Sequence, residues 1–515
     1  MRFVHTYLFY ILLSLMTLSS LSVASSDDLS HSEYQQNSWY QQGDHWLKQR
    51  ILALQAQREI SSENKAKNVI LFVGDGMSIT TLTAARIWQG QQAGKLGEEH
   101  FLHFEHYPHT ALIKTYNTNQ QSPDSAGTMT AMMTGVKTRA GLISIGPEQD
   151  RTECGDSERY HQKTLLEWGN ERGYSTGVVT TARLTHATPA ATYAHSPDRG
   201  WESDLLRHPN AYWHGCDSIA KQLVEKAFPA GLDIALGGGG SRLDNYYDSF
   251  RQQFKTGSLI HDQASLLSLT LDSEDKALGP VLGVFSSGHM KFELDRIKTN
   301  HSKPSALKQP SLKEMSEQAL KYLQSKNENY LLVVEGARID QAHHKGNAAR
   351  ALAETAMLAD TVQRLDELTS DDDTLIIVTA DHSHNFVMAG YPKRGNPILG
   401  VSKNQQNEQV IANDGLPYTT LGYANGKAAG RQTTAEQVPT EKAVNTEATD
   451  FHQGVTTHLS SATHGSDDVA LHAKGPGAYL FSGLMEQHEI FHTIMQALQN
   501  ENQADKDNSL GSKAL

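Results

Sequence analysis

Four apolar runs, spread over more than half of this chain, each lead into residues suited to binding metal or phosphate. Residues 69–73 (VILFV) run into Gly74, Asp75 and Gly76, and 331–334 (LLVV) into Glu335, with Asp340 and His344 after it. Residues 374–378 (TLIIV) lead to Asp381, His382 and His384, and 176–179 (TGVV) to Thr188 and Arg199. Near-continuous apolar runs mark strands buried on both faces, as parallel sheets require. Ligands of open α/β sheets sit at the carboxyl ends of the strands, so these distant residues are expected to converge on one crevice. The fold this demands is α/β, a three-layer sandwich with a large, mainly parallel central sheet flanked by helices.

The segments between the runs support that pattern. Residues 311–325 and 348–368 read as helices alternating with the strands, and 39–60 reads as an amphipathic helix through Trp46, Leu47, Ile51, Leu52 and Leu54. Residues 394–462 differ: rich in Gln, Asn, Thr, Gly and Ala, they read as an insertion between His384 and His464, folded as a surface lobe or partly mobile. A chain of 515 residues exceeds the usual single domain, yet one large sheet with insertions can hold it.

A formal net charge of -13 argues against a nucleic-acid partner or an anionic membrane surface. An anionic substrate would therefore need locally concentrated positive charge. Arg2, the apolar stretch 7–18 and the small residues Ser22-Val23-Ala24 form a signal-peptide pattern over 1–24, so the chain is expected to be exported, periplasmic or secreted. No cysteine near the signal and no apolar tail in 499–515 suggest a membrane anchor. Cys154 and Cys216 are the two cysteines. Export favours a disulfide between them over two buried thiols, and the bridge would close a loop of about 60 residues.

Ser125 lies in the small-residue turn 123–128, with a helix expected to continue to Gly135. A helix N-terminus there suits a phosphate beside the hydroxyl, although an ordinary capping role fits the same residues. No nucleophile-elbow pattern surrounds Ser125, so activation by a Ser-His-Asp triad is a poor explanation. Metal coordination, which lowers a hydroxyl pKa, is the better one. Asp340 and His344, four apart, share a helical face able to grip zinc, or form a solvated pair. Asp75 between two glycines is either a carboxylate bridging two metals or a turn residue. Arg199 is either a bidentate clamp on phosphate or part of a surface loop.

Taken together, segments 68–77, 123–128, 180–199, 334–344, 378–384 and 463–476 resemble the alkaline phosphatases, nearer the animal and marine bacterial members than the enteric bacterial one. The resemblance spans roughly residues 65–495. It implies a phosphate monoester hydrolase of broad substrate range and alkaline pH optimum, with Ser125 as nucleophile through a phosphoserine and Arg199 as phosphate clamp. It implies two zinc ions, the first held by Asp340, His344 and His464, the second by Asp75, Asp381 and His382. One magnesium ion would use Asp75, Thr188 and Glu335, with His384 a neighbour rather than a ligand. Four carboxylates against three divalent ions and Arg199 leave a local surplus of positive charge for a phosphate and a serine alkoxide.

The same resemblance makes 65–393 with 463–498 the catalytic domain, 25–64 an N-terminal arm and helix, 394–462 a crown or interface lobe, and 499–515 a polar tail. Arm and lobe suggest a homodimer, with phosphate monoesters and inorganic phosphate as small-molecule partners. His186 and Gln341 stand where the enteric enzyme has an acid and a lysine, and Phe285-Ser286 replaces a Phe-Glu calcium pair, so calcium is not expected. His289 and His472 read as structural or solvated, and His343 as a neighbour of the site. A phosphodiesterase of the same superfamily and a non-catalytic exported phosphate- or zinc-binding protein are the competing readings.

Overall fold

The computed structural model describes residues 65–269, 279–304, 307–326, 328–427 and 445–498, with Lys48 and Leu52. The signal segment, the polar tail and, those two residues apart, the 39–60 helix lie outside the described residues. Strands β1 (Asn68–Gly74), β2 (His109–Lys114), β3 (Ser175–Arg183), β4 (Leu232–Gly238), β5 (Ser258–Ile260), β6 (Val281–Val284), β7 (Tyr330–Gly336) and β8 (Thr374–Ala380) belong to one large sheet. Strands β9 (Phe386–Met388), β10 (Leu421–Gly426) and β11 (Val455–His458) form a separate small sheet. The chain then returns to the large sheet with β12 (Val469–Lys474) and β13 (Gly483–Glu486).

The large sheet has ten strands in the order β13-β2-β12-β8-β1-β7-β3-β4-β6-β5. Its pairings are parallel except those of β12, which runs against both β8 and β2. Every residue of β1, β4, β7 and β8 is buried, which a strand achieves only when both faces of its sheet are covered. Helices α1 (Ile79–Gln92), α2 (Ser125–Thr134), α3 (Leu312–Ser325), α4 (Arg338–His344), α5 (Ala348–Asp366) and α6 (Glu489–Leu498) supply much of that cover. α1, α3 and α4 pack on α5, while α2 packs on α6.

Local chemistry explains the helix starts. Ser311 caps α3 in a capping box with Glu314, so the 311–325 helix begins where its sequence signal lies. Asn347 caps α5, which ends at Asp366, two residues short of the expected 368. Leu331, Leu332, Leu375, Ile376 and Val378 of the central strands are within 1% of full burial and form one core with Leu320, Leu323, Leu352 and Leu358 from α3 and α5. Cys154 and Cys216 form a disulfide beside Trp201. Among the described residues no helix is long and apolar enough to cross a membrane.

Candidate active site

In-register parallel pairing brings four strand ends level. Val73 of β1 lies opposite both Glu335 of β7 and Thr379 of β8, and Thr180 of β3 lies opposite Glu335. Asp75 and Asp381, each just beyond a strand end, therefore leave adjacent strands at the same height. Asp381 is fixed there by N–H donors from Gly76 (3.0 Å) and His382 (2.8 Å) to its Oδ1. Gly76 has φ +68°, and a Cβ on it would lie 3.1 Å from Asp340 Cα, so this turn demands glycine both for its conformation and for the close approach of α4.

α4 delivers Asp340 and His344 four residues apart, as the sequence spacing predicts. His344 Nε2 lies 3.3 Å from Asp340 Oδ2, and His464 Nε2 lies 3.5 Å from Asp340 Oδ1 and 3.2 Å from His344 Nε2. The far sides of the rings fix their tautomers. His344 Nδ1 donates to Ala462 O (2.6 Å) and His464 Nδ1 donates to Pro123 O (2.7 Å). Both Nε2 atoms therefore present bare lone pairs to each other and to a carboxylate, an arrangement that is repulsive until a cation sits among them.

His382 forms a second convergence. Its Nδ1 donates to Ser383 O (3.0 Å), while its Nε2 lies 3.2 Å from Ser125 Oγ, 3.3 Å from Asp381 Oδ2 and 3.5 Å from Asp75 Oδ1. In a catalytic triad the acid would face the nitrogen opposite the serine; here acids and serine meet the same nitrogen, which rules out that arrangement. Separations of 3.2–3.5 Å are those expected between atoms bound to one tetrahedral ion at about 2.0–2.1 Å.

Ser125 is the first residue of α2, and Asp124 is its N-cap, accepting from Gly127 N (3.1 Å). The serine hydroxyl is thus free of capping duty and turns to His382. Asp124 also accepts from Gly141 N and from Arg199 Nη1, each at 3.0 Å, which steers the half-buried guanidinium toward the crevice. Burial alone would raise the Asp124 pKa, but Arg199 and these N–H donors outweigh it and hold the carboxyl below its usual range.

At the remaining corner, Glu335 accepts from Thr180 Oγ1, with Thr188 fully buried nearby. Asp75, Glu335 and His186 bring ligand atoms within 4.8 Å of one another. Both oxygens of Asp75, Glu335 Oε1, Asp340 Oδ1, Asp381 Oδ2 and Thr188 Oγ1 are buried without hydrogen-bond partners. Burial, with repulsion from Asp381, Asp340 and Glu335 added, pushes the Asp75 pKa well up. Glu335 is raised to about 8 and Asp381 to about 6, in both cases first by burial. Orphaned oxygens beside unprotonated imidazoles are a donor set that fits divalent cations.

The structure thus brings together all ten expected site residues: Asp75, Ser125, Thr188, Arg199, Glu335, Asp340, His344, Asp381, His382 and His464. His384 stays apart in role. Its Nδ1 accepts from Asn385 N (3.1 Å), which leaves the proton on Nε2, 3.7 Å from Asp340 Oδ1 and without a hydrogen bond to it, so the ring turns no lone pair toward that acid. His343 ties α4 to Thr81 (3.0 Å) and to Tyr423 of β10 (2.9 Å). The contacts of Asp124 and His186 with Arg199 are what the sequence did not signal. Asp124 reads only as a cap, and the contact of His186 with Arg199 Nη2 (3.4 Å) joins loops with no shared motif.

A family model described as "Alkaline phosphatase" matches residues 66–500. The tissue-nonspecific alkaline phosphatase isozyme of Rattus norvegicus is 37% identical over 485 residues, covering 89% of this chain and 88% of that protein. The same isozyme of Mus musculus is 38% identical over the same length and coverage. The crystal structure of Thermus thermophilus alkaline phosphatase superposes with a TM-score of 0.59 at 23% identity, covering 87% of this chain and 94% of that one. That likeness establishes the fold.

Proposed function

Because this chain belongs to the alkaline phosphatase family and is a metal-dependent phosphatase, we propose that it hydrolyses phosphate monoesters through a phosphoserine on Ser125, with two zinc ions and one magnesium ion, broad substrate range and an alkaline optimum. The observation that carries the reading is the meeting of Ser125 Oγ, Asp75 and Asp381 at His382 Nε2. Asp340, His344 and His464 would hold the first zinc, Asp75, Asp381 and His382 the second, and Asp75, Glu335 and Thr188 the magnesium, with His186 adjoining. When bound, the ions supply Lewis acidity, lowering the pKa of the serine hydroxyl and of water and neutralising phosphoryl charge.

Ser125 Oγ attacks phosphorus in line, and the ester oxygen leaves as the alcohol. Arg199 holds two phosphoryl oxygens with its fork, and its bond from Nη1 to Asp124 orients the fork before substrate arrives. Free N–H groups in the first turn of α2 and its dipole stabilise the charge that builds beside Ser125. Water then cleaves the phosphoserine, releasing inorganic phosphate and restoring the hydroxyl. Both attacking oxygens must lose a proton, so the rate rises toward alkaline pH.

The reading extends to an exported protein with 1–24 removed, consistent with the Cys154–Cys216 disulfide. It extends also to a catalytic domain of 65–393 with 463–498, and to a homodimer built through the 25–64 arm and the 394–462 lobe. The test compares an aryl phosphate monoester with the matching diester across pH, with zinc and magnesium measured on the same sample. Monoester hydrolysis rising to alkaline pH is expected. Faster diester hydrolysis, or none of either by metal-loaded protein, would overturn the proposal.

A further inference from the structure

A second concave region, a cavity of about 700 Å³, opens beside α4, between its first residue Arg338 and Lys345 just past its last. Its lining carries five cations, Lys291, Lys298, Arg338, Lys345 and Arg350, against Asp295 and Asp450. Arg350 occupies both carboxylates, at 2.9 Å and 2.6 Å. Among the described residues Lys298, Arg338 and Lys345 form no ion pair, and Arg338 Nε is buried without a hydrogen-bond partner.

The cations are gathered rather than dispersed. Phe292, only 4% exposed, has the Arg338 guanidinium at 3.7 Å from its ring centre, Lys345 Nζ at 4.9 Å and Arg350 at 5.5 Å. An aromatic ring offsets part of the repulsion among three cations but does not neutralise them. In a chain of net charge -13 this local surplus is the pattern of an oxyanion receptor, with arginine forks and lysine donors sharing one hollow.

The cavity also adjoins the catalytic crevice. His289 lines it, packs edge-on against His186 at 5.3 Å, and lies 3.0 Å from Gln341 Nε2, the neighbour of Asp340. His186 in turn touches Arg199. One layer of side chains separates the phosphate clamp from the cationic hollow.

We propose that this cavity is a second oxyanion site, which receives a phosphate or sulfate group other than the one held at Ser125. The group has two sources: the distal phosphate of a doubly phosphorylated substrate, or a free inorganic anion. The substrate arm of the test rests on the phosphatase reading above; the binding arm does not.

The test uses metal-loaded protein and the variant Lys298→Glu/Lys345→Glu, with Lys67→Glu/Lys95→Glu as a control of equal charge change at exposed positions outside the cavity lining. One arm follows thermal stabilisation by sodium sulfate; the other follows kcat/KM for an alkanediol monophosphate and its bisphosphate. A preference for bisphosphate that falls about tenfold in the cavity variant alone, with monophosphate kinetics unchanged, assigns the site to the distal phosphate. Sulfate stabilisation lost in the cavity variant alone, without change in that preference, assigns it to a free anion. Equal behaviour of the cavity variant and the control in both arms overturns the proposal. Failure of all monophosphate turnover defeats the phosphatase reading instead and leaves the sulfate arm to decide.

Discussion

The two halves of the crevice achieve the same end by opposite means. Around Asp340, two imidazoles are set in advance by short bonds from Nδ1 to backbone carbonyls, and at neutral pH burial keeps His464 uncharged, its pKa lowered to about 4. Around Asp75, carboxylates crowd together with few donors, and burial with mutual repulsion raises their pKa values. The imidazole half is pre-organised and sets neutral lone pairs against one carboxylate, a mild repulsion, whereas the carboxylate half crowds like charges and depends on cations far more. Removing metal should therefore destabilise the second half far more than the first.

The largest effect belongs to Ser125, where the halves meet. Ser125→Ala should lower kcat for an aryl phosphate by about 10⁴-fold or more, with metal content unchanged, as steady-state rates and elemental analysis would read. Arg199→Ala should cost about 10²-fold in kcat/KM, and Arg199→Lys should recover little of it, because a lysine cannot reproduce the fork that Asp124 holds.

Next comes the pH dependence of metal-free stability. Glu335 and Asp381 keep protons in the folded state at pH values where the unfolded chain has lost them, so unfolding releases protons and stability falls as pH rises from the ordinary carboxylate range toward about 8. Melting of chelator-treated protein should fall steeply across that window. Zinc- and magnesium-loaded protein should lose the part of the slope due to Glu335 and Asp381 and keep that of groups outside the metal set, Glu354 among them, which burial raises to about 8. Equal slopes for the two forms would break the contrast between the halves. The smallest expected change sharpens it: at pH 8 Glu335→Gln should raise the melting temperature of the metal-free protein by a few degrees, while His344→Ala should leave it nearly unchanged.

The sequence displayed the parts of this molecule that are contiguous in it. Apolar runs such as 374–378 announce buried strands, and residues at strand ends converge because parallel register allows little else. Helix 311–325 was legible as a helical stretch between strands, and the Ser311–Glu314 capping box seen in the structure accounts for its start. Pairings across long separations were not. Asp124 answers Arg199 over 75 residues, and that fifth carboxylate reduces the local surplus of positive charge that four acids alone imply. β12 enters antiparallel between β2 and β8, and short, partly exposed β9, β10 and β11 carry no strong alternation, so neither arrangement could be read from local pattern. The cationic cavity escaped for the same reason: its members come from 291–298, 338–350 and 450, and only folding gathers them around Phe292.

The central claim is that the hydroxyl at His382 Nε2 carries the phosphoryl group. Metal-loaded protein quenched in acid during turnover of an aryl phosphate, then digested and analysed by mass spectrometry, tests it directly. The account predicts one phosphoryl group on the peptide containing Ser125, absent from Ser125→Ala; phosphorylation elsewhere, or turnover with no modified Ser125 at any quench time, would contradict it.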